Sequence, residues 1–192
     1  MCADTNEEER LVFTCFCNMK QPTAHSETFK TLLIIRHAKS SWQSDTLDDF
    51  DRPLNERGKN DAPIMAERLK EKNIFIDAFV SSPAKRARKT ATAFAEIYQH
   101  KKEDIVMVSK LYHASPETLY EVVKSLNDAW NCVALFSHNP GITDFVNQLT
   151  ETLQIDNMPT CGIFGVRIPN VSWKDFREVH KEFLLFYYPK LP

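Results

Sequence analysis

No apolar run among the 192 residues approaches the ~20 needed to cross a bilayer as a helix, so a membrane span is not expected. An excess of basic charge is also missing. Lys plus Arg total 24 against 26 Asp plus Glu, a formal net charge of −2, which excludes a globally basic nucleic-acid binder. A disulfide framework is absent as well: Cys2, Cys15, Cys17, Cys132 and Cys161 are odd in number and follow no framework spacing. That usage points to a reducing, cytoplasmic setting. Cys15-Phe16-Cys17 has no second pair to complete a zinc site. Leu11-Val12-Phe13 is too short for a signal peptide, and Glu7-Glu8-Glu9 stands where a basic region would precede one. Nor is there an internal repeat or a linker after residue 31. What remains, 43% hydrophobic and 26% charged, is the composition of an ordinary globular domain.

Residues 1–30 lack sustained periodicity and read as a flexible N-terminal tail; residues 31–192 read as one domain. Within it, short apolar runs alternate with helical patterns. Leu32–Ile35, Ile76–Ser81, Ile105–Val108 and Val133–Ser137 have the texture of strands. Asn55 is placed to cap a helix carrying Ala62, Met65, Ala66 and Leu69 on one face. Pro83 is placed in the first turn of a second helix, and Ser115-Pro116 opens a third. A fourth carries Ile142, Phe145, Val146 and Leu149. Gly162–Ile168 and Phe183–Tyr188 finish the sheet. This alternation predicts an α/β fold, a mostly parallel central sheet in a three-layer α/β/α sandwich.

In such sheets, ligand sites lie beyond the carboxyl ends of the strands. Three strand ends deliver Arg36-His37, then Arg86 (in Ser81-Ser82-Pro83-Ala84-Lys85-Arg86), then His138. Any one of these could be a solvated loop residue; four in register with strand ends suit phosphoryl transfer. Arginines offer bidentate donors to phosphoryl oxygens, and a neutral imidazole is a competent nucleophile. The second histidine, when protonated, would donate to those oxygens. Asp45, Asp48, Asp49 and Asp51 lack metal-ligand spacing and read as a solvated loop. Lys39, Lys85, Arg88 and Lys89 form either a basic rim for an anionic partner or a solvated helix face.

Ile34-Ile35-Arg36-His37-Ala38 resembles the Arg-His-Gly signature of the histidine phosphatase (phosphoglycerate mutase-like) superfamily. Leu54-Asn55-Glu56-Arg57-Gly58, Ser81-Ser82-Pro83 with Arg86-Ala87 and Thr90-Ala91, and Val133–His138 resemble three further motifs in the family's order. The short chain resembles the SixA-like phosphohistidine phosphatase branch. The resemblance implies a phosphoglycerate mutase-like fold, His37 as the phosphorylated nucleophile, and Arg36, Arg86 and His138 as the phosphoryl clamp. Ser40, in the first motif, is expected to bind substrate. No cofactor or metal is implied.

Three departures shape the expected chemistry. Ala38 replaces the usual glycine, which requires negative φ there. Asp61 stands where the family often has glutamine. Asn139 follows His138, where the acid-phosphatase branch has a proton-donating aspartate. The mutases' glutamate motif is not evident either, and its position falls near His113, an auxiliary proton donor at most. The expectation is a metal-independent phosphatase acting on a phosphohistidine protein domain. The alternatives are a sugar or nucleotide phosphate monoesterase and a catalytically silent phosphate-binding module.

Overall fold

The structure is a computed structural model that describes residues 29–41 and 48–190. The expected tail, and Trp42 and Asp45 with it, lies outside the described residues, apart from Phe29 and Lys30. Those two begin the first strand, β1 (Phe29–Arg36). Lys30 is buried there because its ammonium meets the Asp128 carboxylate at 3.0 Å and stands over the Trp173 ring.

The chain continues through α1 (Glu56–Glu71), β2 (Ala78–Ser81), α2 (Lys85–Ile97), β3 (Val106–Met107) and α3 (Pro116–Lys124). It ends with β4 (Cys132–Ser137), α4 (Gly141–Leu149), β5 (Ile163–Pro169) and β6 (Glu182–Tyr187). The six strands lie in the order β3-β2-β4-β1-β5-β6. β3, β2, β4 and β1 are parallel, whereas β5 runs antiparallel to both β1 and β6. Alternation along β1 divides the core. Leu33 and Ile35 pack with Met65, Leu69 and Phe94 of α1 and α2, while Leu32 and Ile34 pack with Leu119 and Phe145 of α3 and α4. The fold is thus an α/β/α sandwich with a mostly parallel sheet.

Caps fall where the sequence puts two of them: the Asn55 side chain accepts from the Gly58 amide, and Ser115 accepts from Thr118. Pro83 lies outside its helix, because α2 starts at Lys85 with Ala84 as its cap residue. The connection after β1 crosses to β2 on the α1 side, and the one after β4 crosses to β5 on the α4 side. Between the carboxyl ends of β1 and β4 this leaves a topological switch point, where ligand crevices form.

Candidate active site

Arg36 is the last residue of β1, and His37 follows it into that crevice. The backbone there is held on both sides: the His37 amide donates to Ser137 O of β4, and its carbonyl accepts from the Cys161 amide. Ala38 is not among the positive-φ residues, so the replacement of glycine is accommodated. Its amide donates to Thr90 Oγ1, whose hydroxyl in turn donates to Arg86 O, tying the loop to α2.

His37 is 6% exposed. Its Nδ1 lies 2.8 Å from Ala38 O, a contact only an N–H can satisfy, so Nε2 carries the lone pair. Arg86 Nε donates to that Nε2 at 3.2 Å. Burial pushes the His37 pKa down to about 3, against the pull of the Ala38 carbonyl and with the charges of Arg86, Arg36 and Arg52 adding to the fall. The imidazole is neutral and its Nε2 lone pair faces a guanidinium.

The ring of His138, from the end of β4, lies 5.1 Å from that of His37. Its Nε2 is 2.8 Å from Ser82 Oγ, which also accepts from the Ala84 amide. Either the ring N–H or the hydroxyl can donate in that contact, because a serine oxygen accepts twice. His138 Nδ1 is buried without a partner among the described residues. Burial and the neighbouring His37, Arg86 and His113 push its pKa down to about 2, against the pull of Asp49. A phosphoryl anion beside the ring would favour the protonated donor that the sequence predicts. Arg36 points Nη1 at Met158 O (2.6 Å) and leaves its buried Nε without a partner among the described residues. Arg36 Nε and His138 Nδ1, both buried without a partner among the described residues, would suit an anion once the imidazole nitrogen carries a proton.

The other site candidates divide. Ser40 is buried and its hydroxyl accepts from Arg52 Nη2 at 2.8 Å, so it holds an arginine. His113 sits at the mouth in the left-handed region, with φ 51°. Its Nε2 lies 3.6 Å from Asp49 Oδ2 and its ring 6.0 Å from that of His138. Asn139 is turned away: its amide nitrogen donates to Asn157 Oδ1 and Met158 O, and its oxygen accepts from Thr143.

Sequence reasoning missed three residues. Asp49 accepts from Arg86 Nη2 and from the Tyr112 hydroxyl, both at 2.9 Å, and its backbone carbonyl accepts from Arg86 Nη1. It pairs with Arg52 as well. Asp49 is thus no solvated loop acid; it fixes the guanidinium that meets His37. Partial burial would raise its pKa, but the Tyr112 and Arg86 hydrogen bonds and the charges of Arg86 and Arg52 hold it below the usual value. Tyr112 also stands edge-on to His138, at 5.6 Å. The only sequence signal for this group was the clustering of acids ahead of Arg52.

The chain is similar to known proteins in sequence and in fold. The model of the Histidine phosphatase superfamily (branch 1) matches residues 32–109. An uncharacterized protein of Mycobacterium leprae is 26% identical over 167 residues, 81% of this chain and all of that protein. The proposed phosphohistidine phosphatase SixA of Agrobacterium tumefaciens superposes with a TM-score of 0.68 at 25% identity, covering 83% of this chain and 98% of that one. The protein histidine phosphatase SixA complexed with tungstate gives 0.70 at 20%, covering 83% and 97%.

Proposed function

Because the chain is similar to the histidine phosphatase superfamily over residues 32–109, we propose that it hydrolyses phosphorylated substrates through a phosphohistidine at position 37, and that its natural substrate is phosphohistidine on a protein domain. The observation that carries this reading is the locked tautomer of His37, with Nδ1–H held by Ala38 O and Nε2 bare towards Arg86. Nε2 attacks phosphorus, the leaving group departs from the opposite side, and a water then cleaves the new P–N bond. Arg36, Arg86 and the His138 N–H receive the charge that develops on the phosphoryl oxygens. Arg86 already touches Nε2, so its shift onto an incoming oxygen needs little movement. These side chains supply the positive charge themselves, so no metal step is invoked. The buried, unpaired thiols of Cys132 and Cys161 fit a cytoplasmic setting.

The substrate class follows from proton supply. A poor alkoxide leaving group needs an acid at neutral pH. Asn139 has no proton to give, and Asp49 is held ionised by its arginines. His113 remains as an auxiliary donor at the mouth. A protonated imidazole leaves without such help, which favours P–N bonds over aliphatic esters.

Rapid quench of enzyme with labelled phosphoramidate should place acid-labile phosphate on residue 37, and His37→Ala should lose both label and turnover while remaining folded. Label elsewhere removes the nucleophile. The same enzyme, with and without chelator, should cleave phosphoramidate and phosphohistidine at least tenfold faster than alkyl phosphates; equal kcat/KM rejects the substrate class. An unchanged ester rate in His113→Ala removes His113 from the mechanism.

A further inference from the structure

We propose that a second anion-binding subsite lies beside the phosphoryl clamp and takes a carboxylate or phosphate carried elsewhere on the same substrate. The proposal rests on the phosphatase reading above and deepens it. A cavity of about 480 Å³ opens next to the crevice, and Arg36 forms a wall common to both. Lys39, Arg57 and Lys190 line it too, against a single carboxylate, that of Asp61. Four cations to one acid is a local concentration in a chain whose net charge is −2.

The group is built rather than merely exposed. Arg57 is fixed across the cavity, donating to Thr160 Oγ1 at 3.1 Å while its Nε faces Asp61 at 3.5 Å. The backbone of Lys39 is immobilised, because its carbonyl accepts from the Asn55 amide and packs against Gly58. Asp61 is engaged by Arg57, which leaves Lys39 and Lys190 without an ion pair among the described residues. Tyr188 and Pro189 supply apolar surface, so the room suits an acid group attached to an organic stem. Cations in a concave, partly apolar wall attract an anion more strongly than the same cations on a flat solvated face. Since Arg36 belongs to both sites, one substrate can place its phosphoryl group on the crevice side and a second anion on the other.

Two sources share this chemistry: an acidic side chain flanking a phosphohistidine in a protein, and a second acid group on a small phosphorylated molecule. The test compares matched pairs. The first is a phosphohistidine peptide flanked by glutamates and its glutamine counterpart; the second is phosphoglycolate and ethyl phosphate. The readout is the kcat/KM ratio within each pair, in which any general loss of activity cancels. With two ion pairs in partial solvent, the wild type should favour the anionic member by roughly three- to tenfold in at least one pair. That preference should shrink as salt is raised and vanish in Lys39→Glu/Lys190→Glu. A preference in the peptide pair assigns the second anion to a protein, and one in the glycolate pair to a small molecule. Ratios near one in both pairs, or a preference that survives the double substitution, overturn the subsite. If the wild type turns over nothing, the phosphatase reading fails by itself. The subsite is then judged by binding of the two peptides to His37→Ala, where equal affinities overturn it.

Discussion

A guanidinium that meets a neutral imidazole is useful only if its plane is held. Three contacts hold Arg86: Nε on His37 Nε2, Nη1 on the Asp49 carbonyl and Nη2 on the Asp49 carboxylate. A lysine has one nitrogen for these three directions. Arg86→Lys should therefore lower kcat/KM on phosphoramidate by about 10²–10³, the range seen when one transition-state donor is lost. Steady-state kinetics on the folded variant check this, and a loss under about fivefold would show that Arg86 is not a clamp. Two of these contacts bring Asp49 into the site, and the Tyr112 hydroxyl joins it by donating to the same carboxylate, although neither lies in a strand-end motif.

At the level of elements, the site is a set of strand ends held in register by what packs behind them. α1 enters with Gly58 against the loop that follows His37. A Cβ at that position would lie 2.2 Å from the Lys39 carbonyl oxygen, a backbone atom that cannot yield without moving the loop. Gly58→Ala should cost about 1–3 kcal/mol. It should also depress turnover, whereas Ile64→Ala on the exposed face of α1 should leave turnover alone. Denaturant midpoints and kcat/KM for the two variants check this; a Gly58→Ala enzyme of wild-type rate would uncouple α1 from the loop. The sequence was most legible here. Arg36-His37 and His138 sit at the ends of apolar runs, and Arg86 lies in the first turn of the helix that follows β2; in a parallel sheet such placement fixes where a side chain goes. Asn55 and Ser115 announced their helices because a cap is local chemistry. The antiparallel direction of β5 was not legible, since Gly162–Ile168 reads as a buried strand in either sense. Nor was the convergence of Asp49, Arg52 and Tyr112, which arrive from loops whose path depends on tertiary contacts. The neutral state of His138 depends on burial, which no motif reports.

For the molecule as a whole, building the crevice has a cost that pH exposes. His37 and His138 are neutral in the fold, with pKa values pushed to about 3 and about 2, while in the unfolded chain both titrate near the ordinary value of 6.5. Below that value the unfolded state binds more protons than the folded state, so stability falls as pH falls, from about 6.5 down towards the folded values. Between pH 6.5 and 5.5 each histidine forfeits about 1 kcal/mol, about 2 kcal/mol together. For a chain of this size that is a fall of roughly 4–8 °C in Tm. Carboxylates contribute little in this window, because Asp49 and Asp128 are held below their usual values and their losses begin at lower pH. An anion in the clamp should reverse the trend. It adds negative charge beside both rings and pairs with Arg36 and Arg86, so tungstate should raise Tm more at pH 5.5 than at pH 7.5. Calorimetric scans of the wild type and His138→Asn across this range make the comparison. The variant removes one of the two titrating rings, so its acid slope should be about half that of the wild type. A wild-type Tm that stays level from pH 6.5 to 5.5, or a variant with the full wild-type slope, would mean that the buried rings are not what makes the fold acid-sensitive.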